Sequence, residues 1–406
     1  KSVLQKIIIE PSAVGEWKYP LNPDTLQRPL HILAFGASVT WGASLEDRFQ
    51  AFPWLLAGGV PNIDYVDNLS MRASGADYPS ICLESMIPDA EHKNYDLILL
   101  EFNINGSNGF HLLIKRLRDR YPEAVIVMVH LWSLLQLVRE EETNMGPNKL
   151  GLNPEINWVW LDEENYHSSQ SCVREFCDDA VMEQLVNQAQ GYVYKLPIPT
   201  TPKIAIDSGW FANDWHHLSA SGHIVVANGI LEILSHHQAD LFKLKRLGSF
   251  GLGDQCYSWF MDGNVIVNYA GAELKLLGPT DNSEKWVLEF NEFNGGRISF
   301  ESKFSFPVPI GISYMSKQED SDYSIVNVSV NNGPPVKIDP NYNLAYRPYL
   351  HISVLSQIGW ANPGHNAVNV NILESRGHPF RIVGIYLCGV CAKAGNLGHA
   401  ALNFAE

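Results

Sequence analysis

The chain has 406 residues, of which 46% are hydrophobic and 18% are charged, and its formal net charge at pH 7 is -15. This composition is that of a globular protein, and the length predicts two domains. The negative charge argues against nucleic acid and anionic membranes as partners, because both require a basic footprint. No apolar run reaches the roughly 18 residues of a transmembrane helix, so none is predicted.

The first half of the chain alternates short apolar runs with amphipathic segments. His31–Phe35, Asp96–Phe102 and Ala124–His130 are typical of strands buried on both faces, and Ile63–Val66 and Lys203–Ile206 are shorter runs of the same kind. Helical patterns lie between the runs, at Tyr78–Met86, Phe110–Arg120, Glu175–Gln190 and Ser219–His236. This alternation predicts βαβ units around a parallel sheet. Residues 139–170 break the rhythm and are interpreted as an inserted loop.

From about Leu241 the pattern changes to short alternating strands separated by Gly/Pro/Asn turns. The predicted strands are Asn264–Tyr269, Trp286–Phe290, Arg297–Phe300, Ser324–Val330, His351–Ser353, Ala367–Ile372 and Arg381–Leu387. Many short strands with almost no helix predict an all-β sandwich of the jelly-roll type. The predicted domains are therefore 1–237 and 238–393, followed by a tail at 394–406.

Six cysteines are too few for a disulfide scaffold in a chain of this length. The close pairs Cys172/Cys177 and Cys388/Cys391 could form disulfides in an oxidising compartment, and no Cys/His cluster has zinc-finger spacing. Glycosylation sequons begin at Asn68 and Asn327. These features favour secretion or passage through the secretory pathway.

Ser38 lies directly after the first predicted strand, in the segment Phe-Gly-Ala-Ser-Val-Thr-Trp-Gly. Small residues beside it allow a sharp turn that exposes the serine at the carboxyl end of the sheet, where open α/β folds bind ligands. The spacing differs from the Gly-x-Ser-x-Gly elbow of α/β-hydrolases, because Thr40 replaces the second glycine. Ser38 is therefore a candidate nucleophile, and a helix N-cap is the alternative.

Asp214 and His217 stand just before the last predicted helix of the first domain. An Asp three residues before a His can accept the imidazole Nδ1–H, which leaves Nε2 outward as a base. The alternative is that Asp214 or Ser219 caps the helix.

Together these segments resemble the SGNH hydrolases, a family named after Ser, Gly, Asn and His in four blocks that follow that chain order. Segments similar to the first, second, third and fifth blocks of the family are Gly-Ala-Ser-Val-Thr, Asn-Leu-Ser-Met-Arg-Ala-Ser-Gly, Glu-Phe-Asn-Ile-Asn-Gly and Asp-Trp-His-His-Leu-Ser. The residues matched in these blocks are Ser38, Gly75, Asn105, Asp214 and His217. The resemblance covers about residues 30–237.

The chain departs from the family pattern in each of three blocks. Ala37 stands where the family usually has Asp, and Leu218 stands where it has Pro. The third block lacks its first Gly and has Gly in place of Asp at its end, so Asn103 competes with Asn105 for the family's Asn. His216 competes with His217, which alone has the Asp-x-x-His spacing.

The resemblance implies a three-layer α/β/α, flavodoxin-like domain with a mainly parallel sheet, acting as a serine esterase. It implies a triad of Ser38, His217 and Asp214, and an oxyanion hole made by the backbone N–H groups of Ser38 and Gly75 and the side-chain amide of Asn105. We expect no cofactor and no metal.

The expected substrate is an ester, with an acylated polysaccharide as the leading candidate and acetyl as the leading acyl group. The β-rich domain resembles modules that accompany carbohydrate-active esterases, and a structural brace is the alternative interpretation. Aromatic side chains that could stack on sugar rings are Trp41, Trp158, Trp160 and Tyr166. A lipase, arylesterase or acyltransferase acting on lipid or small esters remains open. So does a non-catalytic carbohydrate-binding protein with a vestigial site.

Overall fold

The computed structural model describes residues 29–59, 63–72, 74–87, 90, 92–103, 109–132, 134, 179–197, 202–241, 246–258, 267–276, 286–290, 293–316, 323–341 and 352–393. These residues belong to two compact units. The α/β unit takes the described parts of Lys1–Ala76, Glu91–Ile156 and Ser169–Ser249, and the β-rich unit takes those of Asp77–Ala90 and Phe250–Glu406. The sequence prediction divided the chain at 237 and assigned residues 77–90 to the first domain.

The α/β unit is built on five parallel strands in the order β2-β1-β3-β4-β5. These strands are β1 Leu30–Gly36, β2 Ile63–Asn68, β3 Leu97–Glu101, β4 Val125–His130 and β5 Tyr192–Lys195. The described helices of the chain are α1 Ser38–Trp41, α2 Phe52–Gly59, α3 Asp77–Met86, α4 Phe110–Arg120, α5 Asp179–Gln188, α6 Pro202–Asp207, α7 Ala220–His236 and α8 Gln238–Leu241. All except α3 belong to the α/β unit. The strand order is that of flavodoxin-like folds.

The sheet is covered on both faces, as the continuous apolar runs predict. Leu99 and Val127 pack in one cluster with residues of α2 and α7. The alternate residues Ile98 and Ile126 are equally buried on the opposite face, where α5 contacts β4 and α4 contacts α5. The result is three layers, and the predicted fold class is confirmed for this unit.

The helix α2 was not predicted, and two short elements also differ from the sequence prediction. Lys203–Ile206 was predicted as a strand but lies in α6, where Pro202 occupies the first helical position and Lys203 pairs with Asp207 at 3.1 Å one turn later. β5 was not predicted, because Tyr192–Lys195 is only four residues long and partly exposed at the edge of the sheet.

The β-rich unit is a sandwich of two antiparallel sheets, ordered β13-β12-β15-β10-β7 and β14-β11-β16-β9-β8, with β6 paired to β16. The strands are β6 Asp254–Ser258, β7 Asn268–Ala270, β8 Ala272–Leu276, β9 Trp286–Phe290, β10 Gly296–Ser302, β11 Val308–Ser316, β12 Ile325–Val330, β13 Val336–Ile338, β14 Ile352–Ala361, β15 Gly364–Glu374 and β16 Arg381–Cys388. One apolar cluster takes side chains from both sheets, including Val328 of β12 and Ile385 of β16. The predicted all-β sandwich is confirmed.

A central strand of the second sheet, β11, was not predicted from the sequence. Pro309 and Gly311 interrupt its apolar pattern, which obscures the strand in the sequence. Gly311 is needed because a Cβ there would lie 2.3 Å from the ring of Tyr386.

Two disulfides lie in the β-rich unit. Cys82 of α3 is bonded to Cys256 of β6, a pair that was not anticipated, and Cys388 is bonded to Cys391. The other expected pair, Cys172 and Cys177, lies outside the described residues. In the described part of the chain, no helix is both long and apolar enough to cross a membrane.

Candidate active site

The candidate site lies at the carboxyl end of the parallel sheet, where β1 leads directly into α1. Gly36 closes β1, and a Cβ at this position would lie 2.2 Å from Thr40 Oγ1 and 2.9 Å from the carbonyl oxygen of Glu101. Only glycine therefore permits the tight passage from strand to helix. Ser38 is the first residue of α1, so the turn presents its hydroxyl at the edge of the sheet.

Ser38, His217 and Asp214 form one hydrogen-bonded chain although Ser38 and His217 are 179 positions apart in sequence. The Nε2 atom of His217 lies 2.9 Å from Ser38 Oγ, and its Nδ1 atom lies 2.6 Å from Asp214 Oδ2. The remaining oxygen of Asp214, Oδ1, accepts the backbone N–H groups of His216 at 3.0 Å and His217 at 2.9 Å. The carboxylate is therefore held against the imidazole by its own loop.

Ser219, rather than Asp214, caps the following helix. The Ser219 side chain accepts the backbone N–H of Gly222 at 3.2 Å, and α7 begins at the next residue, Ala220. Both Asp214 oxygens remain directed at the loop that carries His217. Capping thus accounts for Ser219 and leaves Asp214 to orient the imidazole.

The charge of Asp214 is stabilised within this loop. Partial burial opposes its ionisation, but the hydrogen bonds and charge of His217, with the backbone N–H of His216, outweigh burial and hold the pKa of Asp214 well below its ordinary value. The carboxylate is 41% exposed, whereas the imidazole is 16% exposed. An ionised carboxylate on Nδ1 fixes the tautomer that leaves Nε2 free to take the Ser38 proton.

Ser44 is a further polar contact of this chain, and sequence reasoning did not single it out. Its hydroxyl donates to Asp214 Oδ2 at 2.9 Å and lies 3.4 Å from His217 Nδ1. Ser44 has a φ of 66°, in the left-handed region that non-glycine residues seldom adopt. A serine two residues after Gly42 in a short turn offers no sequence signal that it contacts a carboxylate 170 positions later.

The predicted oxyanion donors are only partly described. Gly75 is half-buried and follows β2 in sequence, and its carbonyl accepts the Ser74 hydroxyl at 3.2 Å. Asn105 lies outside the described residues. The side chain of its competitor Asn103 is hydrogen-bonded to the backbone of Leu131. Its oxygen accepts the N–H of Leu131 at 3.1 Å, and its amide donates to the carbonyl of the same residue.

The two other histidines of this region have different surroundings. His216 lies edge-on to His217, with 5.0 Å between the ring centres, and only the His217 ring joins Ser38 to Asp214 in the described residues. His223 is fully buried in α7 and accepts the N–H of Phe52 at 3.2 Å. Burial, and secondarily the charge of His217, lowers the pKa of His223 to about 3. His223 is therefore a neutral structural residue.

Trp41, predicted as a substrate-binding residue, is already stacked with protein groups. The guanidinium carbons of Arg48 and Arg72 lie 4.8 and 4.9 Å from the centre of its ring. The other three predicted aromatic residues, Trp158, Trp160 and Tyr166, lie outside the described residues. Among the side chains that the structure describes, no group of three or more His, Cys, Asp or Glu is arranged to hold a metal ion.

Glu101, the last residue of β3, is a buried carboxyl group beneath the Ser38 turn, and sequence reasoning gave it no role. Its Oε2 atom accepts hydrogen bonds from residues 37 and 40. An acidic residue ending an otherwise apolar run was the signal that could have revealed it.

Comparison with known proteins identifies structural relatives only. No protein-family model matches the chain, and no curated protein matches it. The fold is similar to the crystal structure of a two-domain esterase active on acetylated mannans, with a TM-score of 0.53 and 13% identity over 89% of this chain and 92% of that one. The same esterase co-crystallised with mannopentaose gives a TM-score of 0.54 and 13% identity over 90% and 92% of the two chains. The fold is shared.

Proposed function

We propose that this chain is a serine esterase of the SGNH type that removes acetyl groups from polysaccharides. The observation that carries the proposal is the continuous relay from Ser38 Oγ through His217 to Asp214, with distances of 2.9 and 2.6 Å. A hydroxyl, an imidazole and an ionised carboxylate in this order form the arrangement that activates serine for acyl transfer.

In the proposed mechanism Ser38 Oγ attacks the ester carbonyl while His217 Nε2 takes the hydroxyl proton. Collapse of the tetrahedral intermediate breaks the bond to the leaving alcohol, which receives that proton from His217 and leaves an acyl-serine. A water molecule, deprotonated by His217, then attacks the acyl group to form a second tetrahedral intermediate. Its collapse breaks the bond to Ser38 Oγ, which receives the proton from His217, and releases the acid. Asp214 keeps the imidazole oriented and stabilises its charged form.

The negative charge on the carbonyl oxygen needs donors in both tetrahedral intermediates. We assign this role to the backbone N–H groups of Ser38 and Gly75 and to the side-chain amide of Asn105. The commitment of Asn103 to Leu131 favours Asn105 over Asn103 for the third donor. Loss of one such donor typically costs ~10²–10³ in kcat.

Two observations support a carbohydrate ester as the substrate. The solved structure with the same two-domain fold belongs to an esterase active on acetylated mannans, and it was co-crystallised with mannopentaose. The disulfides Cys82–Cys256 and Cys388–Cys391 are typical of an oxidising compartment, which supports secretion toward such polysaccharides.

The test compares wild type with Ser38→Ala on p-nitrophenyl acetate and on acetylated polysaccharides. We expect Ser38→Ala to lose about 10⁴–10⁶ in kcat while its unfolding curve is unchanged. Ser235→Ala is the matched control, because this hydroxyl on α7 donates to the carbonyl of Glu232 in its own helix and otherwise lies 3.4 Å from Nδ1 of neighbouring His236. Full turnover by Ser38→Ala would remove Ser38 from the mechanism.

An acyl series decides between the substrate classes. We expect the rate to fall sharply as p-nitrophenyl esters lengthen beyond acetyl, and acetylated polysaccharide to be the preferred substrate. Activity that rises with acyl length would instead identify an esterase of lipid or small esters. Binding of polysaccharide without hydrolysis would identify a vestigial site.

A further inference from the structure

The helix that begins with Ser38 lacks a cap of its own. Ala37 occupies the N-cap position of α1 and has no side-chain hydrogen-bonding group, and the first turn of α1 contains no acidic residue. The first N–H groups of a helix have no partner inside the helix, so Ser, Thr, Asp or Asn at the N-cap normally accepts one of them. An uncapped turn would leave the nucleophile on a frayed end.

Glu101 supplies the missing acceptor from the neighbouring strand. Its Oε2 atom lies 3.3 Å from the backbone nitrogen of Ala37, 3.4 Å from that of Thr40 and 2.9 Å from the Thr40 hydroxyl oxygen. The N–H groups of the N-cap residue and of the third helical residue are the pair that a capping box satisfies. Here one carboxyl oxygen accepts both, from 61 to 64 positions away in sequence. The N–H of Ala37 is shared between this oxygen and the backbone carbonyl of Glu101, which lies at 3.2 Å, whereas Thr40 depends on the carboxyl oxygen alone for its N–H and hydroxyl contacts with Glu101.

We infer that Glu101 is a positioning residue of the proposed esterase, which caps α1 from β3 and thereby holds Ser38 Oγ in line with His217 Nε2. This inference rests on the proposed function. Glu101 acts through Ala37 and Thr40, which flank the nucleophile on both sides, and it takes no part in bond making. The backbone N–H of Ser38, a proposed oxyanion donor, belongs to the same turn.

The cap is a titratable group. Glu101 is 1% exposed, and its other oxygen, Oε1, is buried without a hydrogen-bond partner among the described residues. Burial raises the pKa of Glu101 to about 7, against the lowering effect of the Thr40 hydroxyl and of the N–H groups of Ala37 and Thr40. Hydrogen bonds to an ionised acceptor are about twice as strong as neutral ones. The turn is therefore held more firmly above neutral pH than below it.

The other charged or titratable groups around this turn are those of the triad, one buried histidine and two arginines. The guanidinium groups of Arg48 and Arg72 stack on Trp41 at the end of α1 and stay charged at every pH tested. Asp214 and His217 are joined to Ser38 itself through its hydroxyl, whereas Glu101 contacts Ala37 and Thr40. His223 stays neutral, since its pKa is lowered to about 3. None of these groups is among the causes of the shift at Glu101, which are burial and the three hydrogen bonds. A neutral substitution at Glu101 should therefore isolate the cap from the ionisation of the triad.

The test is the ratio of wild-type kcat to Glu101→Gln kcat, followed from about pH 5 to about pH 9. Glutamine keeps the shape of a protonated glutamate but cannot ionise, and the contribution of His217 cancels in the ratio. We expect a ratio near one at the acid end and about tenfold at the alkaline end, with a midpoint near the raised pKa of Glu101, about 7. Glu232→Gln, on the exposed side of α7, is the control for the loss of one carboxylate.

A ratio that is the same at every pH would overturn the inference, because a purely structural defect does not depend on ionisation of the native residue. A wild type that hydrolyses no ester would instead refute the proposed function. The two failures are therefore distinguishable.

A second measurement needs no catalysis. Ala37→Asp should restore a local cap in the Glu101→Ala background and raise the midpoint of thermal unfolding there. In the wild-type background the same substitution adds a second buried carboxyl group beside Glu101 and should lower the midpoint. This reversal of sign is the expected result. An equal effect of Ala37→Asp in both backgrounds would show that the two side chains do not share the cap.

Discussion

Two buried carboxyl groups, one from each unit, have opposite surroundings. Asp254 in the β-rich unit is 0% exposed, and both of its oxygens are satisfied: Oδ2 accepts the N–H of Glu84 at 2.9 Å, and Oδ1 accepts the N–H and hydroxyl of Ser85 at 3.0 and 2.6 Å. Glu101 in the α/β unit has three contacts on one oxygen and none on the other. A buried carboxylate with hydrogen-bond partners on both oxygens stabilises the fold. One with partners on a single oxygen can still change its charge.

The non-glycine residues with a left-handed backbone also differ between the two units. In the α/β unit Ser44 and Trp215, which have φ values of 66° and 55°, lie beside the carboxylate and imidazole of the candidate triad, and Gln190 has a φ of 55° in the turn after α5. In the β-rich unit the comparable residue is Asn331, with a φ of 53° in the turn after β12. Asparagine tolerates this conformation far better than serine or tryptophan. Two of the three non-glycine residues with positive φ in the described part of the α/β unit thus lie where chemistry is proposed, and in the sandwich an asparagine adopts this conformation at lower cost.

The largest expected effect is the loss of stability when Asp254 is replaced. Asp254→Ala leaves the N–H groups of Glu84 and Ser85 without their acceptor, so we expect the free energy of unfolding to fall by about 3–5 kcal/mol. Urea unfolding followed by fluorescence measures this loss. Asp254→Asn, which keeps one acceptor oxygen, should lose less. Hydrolysis of p-nitrophenyl acetate by the folded fraction should be unchanged. A stability loss below about 1 kcal/mol would erase the contrast between the two carboxyl groups.

Glu101→Gln, in contrast to Asp254→Ala, should raise the free energy of unfolding at alkaline pH. The folded pKa of Glu101 is raised from 4.5 to about 7, so the unfolded state loses its proton first, and wild-type stability falls as pH rises through this window. Glutamine removes that dependence. Relative to wild type, the variant should therefore gain about 3 kcal/mol between acid pH and about pH 8, at 1.36 kcal/mol per pKa unit. Unfolding of both proteins at the two pH values measures the gain, and parallel stability curves would contradict it.

The residues that the sequence revealed are those whose partners are close in the chain or whose spacing is typical of a known arrangement. Asp214 and His217 are three positions apart, and Ser38 follows an apolar run directly. Glu101 and Ser44 escaped notice because their contacts are made across the fold, 61 and 170 positions away. Long-range contacts of this kind depend on the strand order, which the alternation of strands and helices does not specify.

The prediction of strands from the sequence was limited in a similar way. Continuous apolar runs indicated β1, β3 and β4, because strands buried on both faces need no alternation. The missed strands include β5, which is a short edge strand, and β11, which proline and glycine interrupt. The short strands β6, β8 and β13 were missed as well. None of these strands contributes a residue to the candidate relay. The contacts among Ser38, His217 and Asp214 were therefore easier to anticipate from the sequence than these strands.

The smallest expected effect tests whether the strain at Ser44 serves the triad. Its hydroxyl contacts the Asp214 oxygen that also accepts His217 Nδ1–H, so Ser44→Gly and Ser44→Ala should both lower kcat, by about fivefold to tenfold, with KM unchanged. Their stabilities should differ: Gly relieves the left-handed backbone and should gain roughly 0.5–1 kcal/mol, whereas Ala retains the strain and should gain nothing. The kinetics of the two variants measure the contribution of the hydroxyl to kcat, and their thermal unfolding measures the cost of the left-handed backbone. If Ser44→Gly were both more stable and fully active, the strained serine would have no catalytic purpose, and the contrast in backbone strain between the two units would lose its functional meaning.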